Sequence, residues 1–597
     1  MLSRPELHGT FGAVSSTHWL ASAAGMAMFD RGGNAFDAAA AAAFVLQVVE
    51  PHLNGPGGDV PILAYEAGAG RVTVLCGQGP LPEAATPAAF AALGLDAVPG
   101  SGLLPACVPG VFGAWVRLLA EHGRLEIADV LAPAIGYAEH GFPLLPKAAA
   151  MIDRLAPLFR DHWVSSGETY LRGGLAPASG ERVRNPALAQ VFRRIVAEAA
   201  PAKSREARCE AAIRAFYEGF VAEAVDKFFA GTEVLDATGR HNRGLLTGTD
   251  LATWRPAVEE PVTLSYRGRL VHKPGPWSQG PVFLQQLALL SGFDLGAMGF
   301  GSADHLHTVV ESAKLAFADR EAWYGDPDHA DVPLAGLLDP AYTDARRALI
   351  GEAASSGLRP GTPDKRAPWL PPLADPPAPP EDPTWRDQLA NGLPTVLAAT
   401  VVRGDTTTVS ATDRDGNMVV ATPSGGWLSG SPVVPGLGFP LGTRGQMAWL
   451  VRGHNNGLAP GKRPRTTLSP TIVRTDDGRP CLAFGTPGGD RQDQWTLNFF
   501  LNHVDFGMPV QEAAEALNFH TDHVPTSFLP RQFRPRSLTV EEGVAEETAT
   551  ELRRRGHQVE LAAAQSLGQV CATGPGPDGG VLAASSPRGS QAYAVVR

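Results

Sequence analysis

The chain has 597 residues, of which 44% are apolar and 19% charged, as in ordinary globular proteins and unlike disordered or fibrous chains. Its net charge is −11 and its basic residues are dispersed, which argues against nucleic acid as a partner. Five well-separated cysteines without metal or CxxC spacing argue against a disulfide framework and a metal centre.

The N-terminal segment predicts a folded start. Polar residues between His8 and His18 interrupt the continuous apolar stretch that a secretory leader needs, so we expect a cytoplasmic protein. No window reaches eighteen uninterrupted apolar residues, and we expect no membrane partner. The alanine-rich run at 35–49 stops at Glu50 and Pro51 and predicts a buried helix.

Helical and strand patterns alternate in the first part of the chain. Residues 61–75 predict a strand pair, whereas 187–200 and 303–325 carry apolar residues at helical spacing. Ten prolines then lie between Pro360 and Pro383. This composition favours extended conformations, so residues 360–384 predict a slack linker or a long surface excursion.

After the linker, short β-rich runs are separated by Asp-Gly turns. Three hairpins are predicted, at 406–422, 471–485 and 569–584. Helical patterns at 495–506 and 544–556 lie between them. The sequence therefore predicts an α+β protein with antiparallel sheets covered by helices.

Two short stretches suggest chemistry without establishing it. Thr406 begins a run in which hydroxyl side chains at every second position share one strand face, and threonine's β propensity alone explains such a run. Gly488 and Gly489 form a turn whose two backbone N–H groups could converge on an oxyanion. An ordinary tight turn is the alternative.

Five ordered blocks resemble the γ-glutamyltransferases, which are N-terminal nucleophile (Ntn) hydrolases. These blocks are residues 32–59, 314–328, 404–417, 460–473 and 485–494. The resemblance implies a four-layer αββα sandwich made as a single precursor that cleaves itself between Asp405 and Thr406. The large subunit would be residues 1–405 and the small subunit residues 406–597. A small-molecule substrate, no cofactor and no metal are implied, and pairing of processed units stays open.

The chemistry of such a site follows from general principles. A threonine hydroxyl needs a base within hydrogen-bond reach, and a freed α-amino group on Thr406 itself meets that requirement. Its ordinary pKa of about 7.7 to 8.0 suits a general base near neutral pH. We expect Thr406 to attack an amide carbonyl and also, in the precursor, the Asp405 carbonyl. Gly488 and Gly489 would bind the oxyanion.

The resemblance implies further roles. Ser424 matches a hydroxyl that supports the nucleophile, although a simple turn serine is the alternative. Thr466 and Thr467 match residues that hold a substrate carboxylate, and Gln446 matches a residue of the amino-group site. Arg465 could add a cation, although a solvated surface arginine is the alternative.

Other positions depart from the family pattern. The region that carries a carboxylate-binding arginine in the family has Gly77 and Gln78 here, so a bidentate clamp is missing. The polar and acidic positions that hold the substrate amino group correspond to Gly426 and to Ala448 and Trp449. A cationic amine would therefore lack its counter-charge.

Three readings follow. The first is an autoprocessed amidohydrolase or acyltransferase whose specificity has moved from glutathione to another acidic amide or acyl compound. The second is a genuine γ-glutamyl hydrolase or transpeptidase whose head-group contacts come from Arg465 or Arg444. The third is a non-catalytic binding protein that keeps the fold.

Overall fold

The computed structural model describes residues 2–371, 406–529 and 531–597. Within them, two seven-stranded antiparallel sheets form the centre of the molecule. Sheet 1 contains, in spatial order, Leu7–Gly9, Val581–Ser585, Cys571–Pro575, Pro480–Gly485, Thr471–Thr475, Arg269–Lys273 and Val262–Tyr266. Sheet 2 contains Tyr593–Val596, Gly12–Ser16, Val409–Asp413, Met418–Ala421, Val60–Glu66, Arg71–Gly77 and Ala257–Glu259.

The two sheets stack face to face through small polar side chains. The Thr412 hydroxyl donates to Thr573 Oγ1 at 2.9 Å, and the Ser15 hydroxyl donates to the Ala584 carbonyl at 2.8 Å. On the outer face of sheet 2, Val409 and Ala411 belong instead to an apolar core shared with helices. The alternation of the strand after Thr406 thus directs hydroxyls between the sheets and apolar groups outward.

Helices cover both outer faces. Eight helices share an apolar core with the outer face of sheet 2. They are Trp19–Asp30, Ala35–Val49, Val111–His122, Ile127–His140, Pro146–Asp161, Pro186–Ala199, Arg205–Tyr217 and Phe220–Gly231. Helices in the core on sheet 1 are Gly280–Leu290, Ala303–Trp323, Gln492–Val504, Val510–Glu515 and Glu546–Arg554. This arrangement confirms the predicted αββα sandwich.

Shorter elements complete the described chain. The remaining helices are Pro87–Ala92, Val164–Tyr170, Gly248–Thr253, Leu295–Met298, Leu334–Leu337 and Pro340–Arg347, with single 3-10 turns at Pro363–Lys365, Arg444–Met447, Gly489–Arg491 and Pro577–Gly579. Small sheets pair Phe142–Pro143 with Arg182–Val183, pair Glu233–Leu235 with His241–Arg243, and join Phe519–His520, Ser537–Glu541 and Gln558–Ala562. In the described ranges, no helix combines the length and apolar character that a membrane crossing needs.

The alanine-rich helix Ala35–Val49 is buried along its whole length, as predicted. Asn34 starts it with a capping box, because its side chain accepts from Asp37 N–H while the Asp37 carboxylate accepts from Asn34 N–H. Small side chains let helix Trp19–Asp30 and sheet 2 approach closely. This helix therefore anchors the strands that lead to the site.

The three hairpins predicted after the linker are confirmed, with strands 409–413 and 418–421, 471–475 and 480–485, and 571–575 and 581–585. The start of the proline-rich segment, residues 360–371, runs over the surface with several exposed residues, and it is held at Gly361. Gly361 is buried, its N–H donates to Asp319 at 2.7 Å, and its carbonyl accepts from Trp323 at 3.2 Å. Gly361 is therefore tied to helix Ala303–Trp323, and 372–384 lie outside the described residues.

Candidate active site

The hairpin register places Thr406 opposite Ser424. Val409 pairs with Ala421, and the same register continues to an isolated antiparallel bridge between Thr406 and Ser424. Both residues are fully buried, and their hydroxyl oxygens are 3.5 Å apart. The structure thus brings together the predicted nucleophile and its predicted supporting hydroxyl. The predicted cleavage partner, Asp405, lies outside the described residues.

Asp59 joins this pair from the loop before strand Val60–Glu66. Its N–H donates to the Ser424 carbonyl at 2.8 Å, and the Ser424 N–H donates to the Asp59 carbonyl at 3.0 Å. A Cβ on Gly58 would lie 2.1 Å from the Ser424 carbonyl oxygen, so this approach requires glycine. Sequence reasoning missed Asp59, although the Gly57-Gly58 pair before it signalled a close backbone contact.

Asp59 contacts Ser424 through its backbone and contacts Arg444 and Thr466 through its carboxylate. The carboxylate lies 2.9 Å from Arg444 Nη2 and 3.5 Å from Thr466 Oγ1, and all three side chains are buried. Burial raises the pKa of Asp59, and the Arg444 guanidinium opposes that rise. Thr466 and Arg444, suggested separately by the sequence, therefore meet at one carboxylate.

Arg444 retains a donor that this pairing leaves unused. Its guanidinium lies over the rings of Trp427 and Phe528, at 5.2 and 5.9 Å from their centroids. Its Nε and the hydroxyl of Thr467, the residue after Thr466, are buried and have no hydrogen-bond partner among the described residues. Such atoms are suited to binding a carboxylate.

The segment after Arg444 is tied to a second buried arginine. Gln446 Nε2 donates to the Gly100 carbonyl and to Thr443 Oγ1, both at 3.1 Å. Arg531 Nη2 donates to the carbonyls of residues 446, 447 and 448 at 3.1 to 3.2 Å, and its guanidinium stacks on Trp449 at 3.8 Å. Burial lowers the pKa of Arg531 to about 10, which leaves it charged at neutral pH. Sequence reasoning missed this cation.

The turn at Gly488 and Gly489 leads into helix Gln492–Val504. Gly488 has φ 147° and Gly489 has φ 55°, both in the region that favours glycine. A Cβ on Gly488 would lie 2.4 Å from the Trp495 ring. The preceding Gly485 packs against Thr408, two residues after Thr406. The fold therefore brings the turn toward the hairpin end, and binding of an oxyanion there stays a prediction.

Arg465 does not behave as a solvated surface arginine, and that interpretation is wrong. It is 1% exposed, and its Nη2 lies 2.8 Å from the Glu321 carboxylate. Glu321 also pairs with Arg320, which reaches Asp490 beside the glycine turn at 2.5 Å. The Arg465 guanidinium is thus engaged in an ion-pair network.

This network fixes the glycine turn. Burial alone would raise the pKa of Asp490, but Arg320 and the hydrogen bonds from Ser527 hold it below its ordinary range. Gln279 Nε2 adds a bond to the Gly489 carbonyl at 3.3 Å. The 314–328 block of the sequence, which carries Arg320, therefore contributes to the site by positioning the turn.

A separate group of metal-type ligands is formed by His307, Glu311 and His557 within the described residues. His307 Nδ1 lies 2.9 Å from His557 Nε2, and His307 Nε2 donates to the Gly351 carbonyl at 2.8 Å. Glu311 is already paired with Lys314 at 2.6 Å. These contacts give the group a structural explanation, and we assign no metal to it.

Comparisons with known proteins place these residues in a family context. The family described as Gamma-glutamyltranspeptidase matches residues 21–596. The chain is 32% identical over 591 residues to the Acylase ACY 1 proenzyme of Pseudomonas sp. (strain V22), covering 97% of this chain and 92% of the relative. It is 31% identical over 595 residues to the Glutathione hydrolase-like YwrD proenzyme of Bacillus subtilis (strain 168), covering 98% of each. A solved structure of LmbA2991HD is 50% identical, covers all of both chains and superposes with a TM-score of 0.93.

Proposed function

Because the chain belongs to the γ-glutamyltranspeptidase family, we propose that it is an autoprocessed Ntn amidohydrolase with Thr406 as its nucleophile. The observation that carries this proposal is the burial of the Thr406 hydroxyl 3.5 Å from the Ser424 hydroxyl. The hypothesis of a non-catalytic binding protein is set aside. The family of this chain and its similar relatives are hydrolytic enzymes.

Processing and turnover would use the same oxygen. In the precursor, Thr406 Oγ1 attacks the Asp405 carbonyl, the peptide C–N bond breaks, and water hydrolyses the resulting ester. This leaves a carboxylate on Asp405 and a free α-amino group on Thr406. In turnover, that amino group accepts the hydroxyl proton, the substrate amine leaves with a proton, and water or another amine takes the acyl group.

We further propose that the acyl group carries a carboxylate but no α-ammonium, as a glutaryl group does. Arg444, Thr466 and Thr467 supply donors for a carboxylate near the hydroxyl pair. By the family pattern, residues 446 and 449 border the amino-group site, and there the buried Arg531 cation replaces an acidic partner. An ammonium would be repelled at that position.

A γ-glutamyl substrate is the second candidate. Gln446 and both hydroxyls of the carboxylate site keep the family's residue types, and a glutathione hydrolase-like relative is 31% identical. The two candidates share the chemistry at Thr406 and differ only in the head group. Arg465, engaged by Glu321, is a weaker source of head-group contacts than Arg444.

The test begins with intact masses and N-terminal sequencing of the purified polypeptides. We expect the smaller fragment to start at Thr406, and a different first residue would contradict the proposed cleavage. Thr406→Ala should remain a single chain and lose turnover by on the order of 1000-fold, whereas the matched Thr406→Ser should still be processed. Cleavage of Thr406→Ala at the same bond would show that the nucleophile is misassigned.

The second part compares two chromogenic amides with the processed enzyme. We expect kcat/KM for glutaryl-p-nitroanilide to exceed that for L-γ-glutamyl-p-nitroanilide by about tenfold, because the Asp59 carboxylate is paired with Arg444 and the Arg531 cation lies where the family pattern places the substrate amino group. A preference for the γ-glutamyl compound, with inhibition by free glutamate, would favour the second candidate instead.

A further inference from the structure

A fully buried ion pair joins sheet 1 to the helix that follows the glycine turn. Lys273, the last residue of strand Arg269–Lys273, has its Nζ 2.8 Å from the carboxylate of Asp493, the second residue of helix Gln492–Val504. Neither side chain has any exposed surface. Burial lowers the pKa of Lys273 and raises the pKa of Asp493, and each charge opposes the shift of the other. Each charge therefore depends on its partner.

Stability alone does not account for this pair. Taking two charges out of water is costly, and replacing a buried ion pair by apolar residues is often neutral or stabilising. Apolar residues cannot supply direction, whereas hydrogen bonds to a charged group fix both distance and angle. The groups that this pair binds therefore indicate what it positions.

The ion pair holds the carboxylate loop (residues 466–469), which carries the two threonines of the proposed carboxylate site. The Ser469 hydroxyl donates to the Asp493 carboxylate at 2.6 Å, and the Ser469 carbonyl accepts from Lys273 Nζ at 3.0 Å. The Ser469 N–H donates to Oε1 of Gln492, the residue before Asp493, at 3.2 Å. All three polar groups of Ser469 are thus bound by the ion pair or by the residue beside it.

The chain that follows the lysine makes a second connection. The Trp277 carbonyl accepts from the Thr466 N–H at 2.8 Å, and Gln279 Nε2 donates to the Gly489 carbonyl at 3.3 Å. Trp277 and Gln279 are both fully buried. One short segment therefore contacts both the carboxylate loop and the glycine turn, and the ion pair lies at its beginning.

We propose that Lys273 and Asp493 are positioning residues that set the distance between the carboxylate loop and the glycine turn, and thereby the length of acyl chain that the enzyme accepts. This inference rests on the proposed function, in which the loop binds the distal carboxylate and the turn binds the oxyanion. The methylene groups of the substrate span these two positions, so a fixed distance suits one chain length best. A binding site can discriminate by about 10- to 200-fold against one extra or missing methylene.

The test compares succinyl, glutaryl and adipyl p-nitroanilides with the processed wild-type enzyme. We expect one of the three lengths to exceed the next by at least about tenfold in kcat/KM. If the enzyme prefers γ-glutamyl substrates, the same three lengths are compared with an α-amino group on the acyl chain. The result therefore does not depend on which head group the site takes.

Two kinds of failure are distinguishable in this comparison. A correctly processed enzyme that turns over none of these compounds contradicts the proposed function, and with it this inference. A processed and active enzyme that shows no preference among the three lengths overturns this inference alone.

Ser469→Ala removes the hydroxyl bond between the carboxylate loop and Asp493 without leaving a charge unpaired. We expect the length preference to fall by about threefold, because the loop keeps its carbonyl bond to Lys273. Thr496→Ala is the matched control. Its buried hydroxyl donates to the Gln492 carbonyl at 2.6 Å within one helix, and the variant should keep the wild-type preference. An unchanged preference in Ser469→Ala overturns the proposal.

Removing the ion pair is the stronger test. Lys273→Met combined with Asp493→Asn takes away both charges together, so no buried charge is left without a partner. We expect the length preference to fall by about tenfold. A purely structural role would instead lower kcat/KM by the same factor for all three lengths, and that result overturns the proposal. If the double variant does not fold, Ser469→Ala and its control decide alone.

Discussion

The reaction side and the recognition side of the candidate site are held by different kinds of structure. Thr406 and Ser424 occupy paired positions of one hairpin, so backbone hydrogen bonds fix their separation. Arg444, Thr466 and Arg531 lie in loops and single turns, where side-chain contacts set their positions. Backbone pairing therefore sets the geometry of the reaction side, whereas side-chain contacts set that of the recognition side.

The buried arginines sharpen this contrast. Arg465 is engaged by Glu321 in a network that reaches Asp490 and supports the glycine turn. Arg444 pairs with Asp59 but keeps a buried N–H without a partner among the described residues. The first arginine stabilises the reaction side, whereas the second is available to a ligand. Arg465 and Arg444, which the sequence alone does not distinguish, therefore have different roles in the site.

The largest expected effect concerns the Arg444–Asp59 pair. Arg444→Met should lower the free energy of unfolding by about 3 to 5 kcal/mol, because it leaves the Asp59 carboxylate buried without its counter-charge. Urea unfolding of the processed enzyme measures this change. The double variant Arg444→Met with Asp59→Asn should recover at least about half of the loss. Equal losses in the single and double variants would mean that the pair is not coupled.

Gly488→Ala should have the next largest effect, this time on the reaction side. The added Cβ meets Trp495 at 2.4 Å, so the turn must shift and the predicted oxyanion donors move with it. We expect kcat to fall by about 100- to 1000-fold. Gly489→Ala is the matched control, because the nearest atom to its Cβ is 4.0 Å away and only backbone strain applies. Similar kcat values for the two variants would contradict the assignment.

Ser424→Ala should have a smaller effect. Its hydroxyl is a neutral contact of the Thr406 hydroxyl at 3.5 Å, so we expect both processing and turnover to slow by about tenfold. Ser429→Ala removes another buried hydroxyl five residues along the chain and serves as the control. Single-turnover rates and the time course of precursor cleavage measure both steps. If the rates of Ser424→Ala are unchanged, Ser424 does not support the nucleophile and has only a structural role in the turn.

Local sequence patterns predicted the hairpin that carries the reaction side, whereas the recognition side depends on contacts between residues far apart in the chain. Strand alternation and Asp-Gly turns predicted the hairpin, and its register then placed Ser424 opposite Thr406. The contact of Asp59 with Arg444 joins residues 385 positions apart, which no local pattern encodes. Arg531 was missed for the same reason, since its role depends on loops that meet only in the folded chain. Burial of Arg465 likewise depends on Glu321, from a distant helix.

The smallest expected effect tests the recognition side through Arg531. Its charge lies at the carbonyls of residues 446–448, where the family pattern places the amino-group site. Replacing it by Arg531→Gln removes the repulsion of an ammonium, so the preference for glutaryl over γ-glutamyl p-nitroanilide should fall about threefold. Arg534→Gln, at a side chain that is 41% exposed, is the matched control and should keep the wild-type preference. The ratio of the two kcat/KM values does not depend on the fraction of folded enzyme, so a loss of stability in Arg531→Gln does not obscure the result. A preference that is unchanged in Arg531→Gln would place the substrate head group away from this cation and would leave Arg444 as the charge that selects the acyl group.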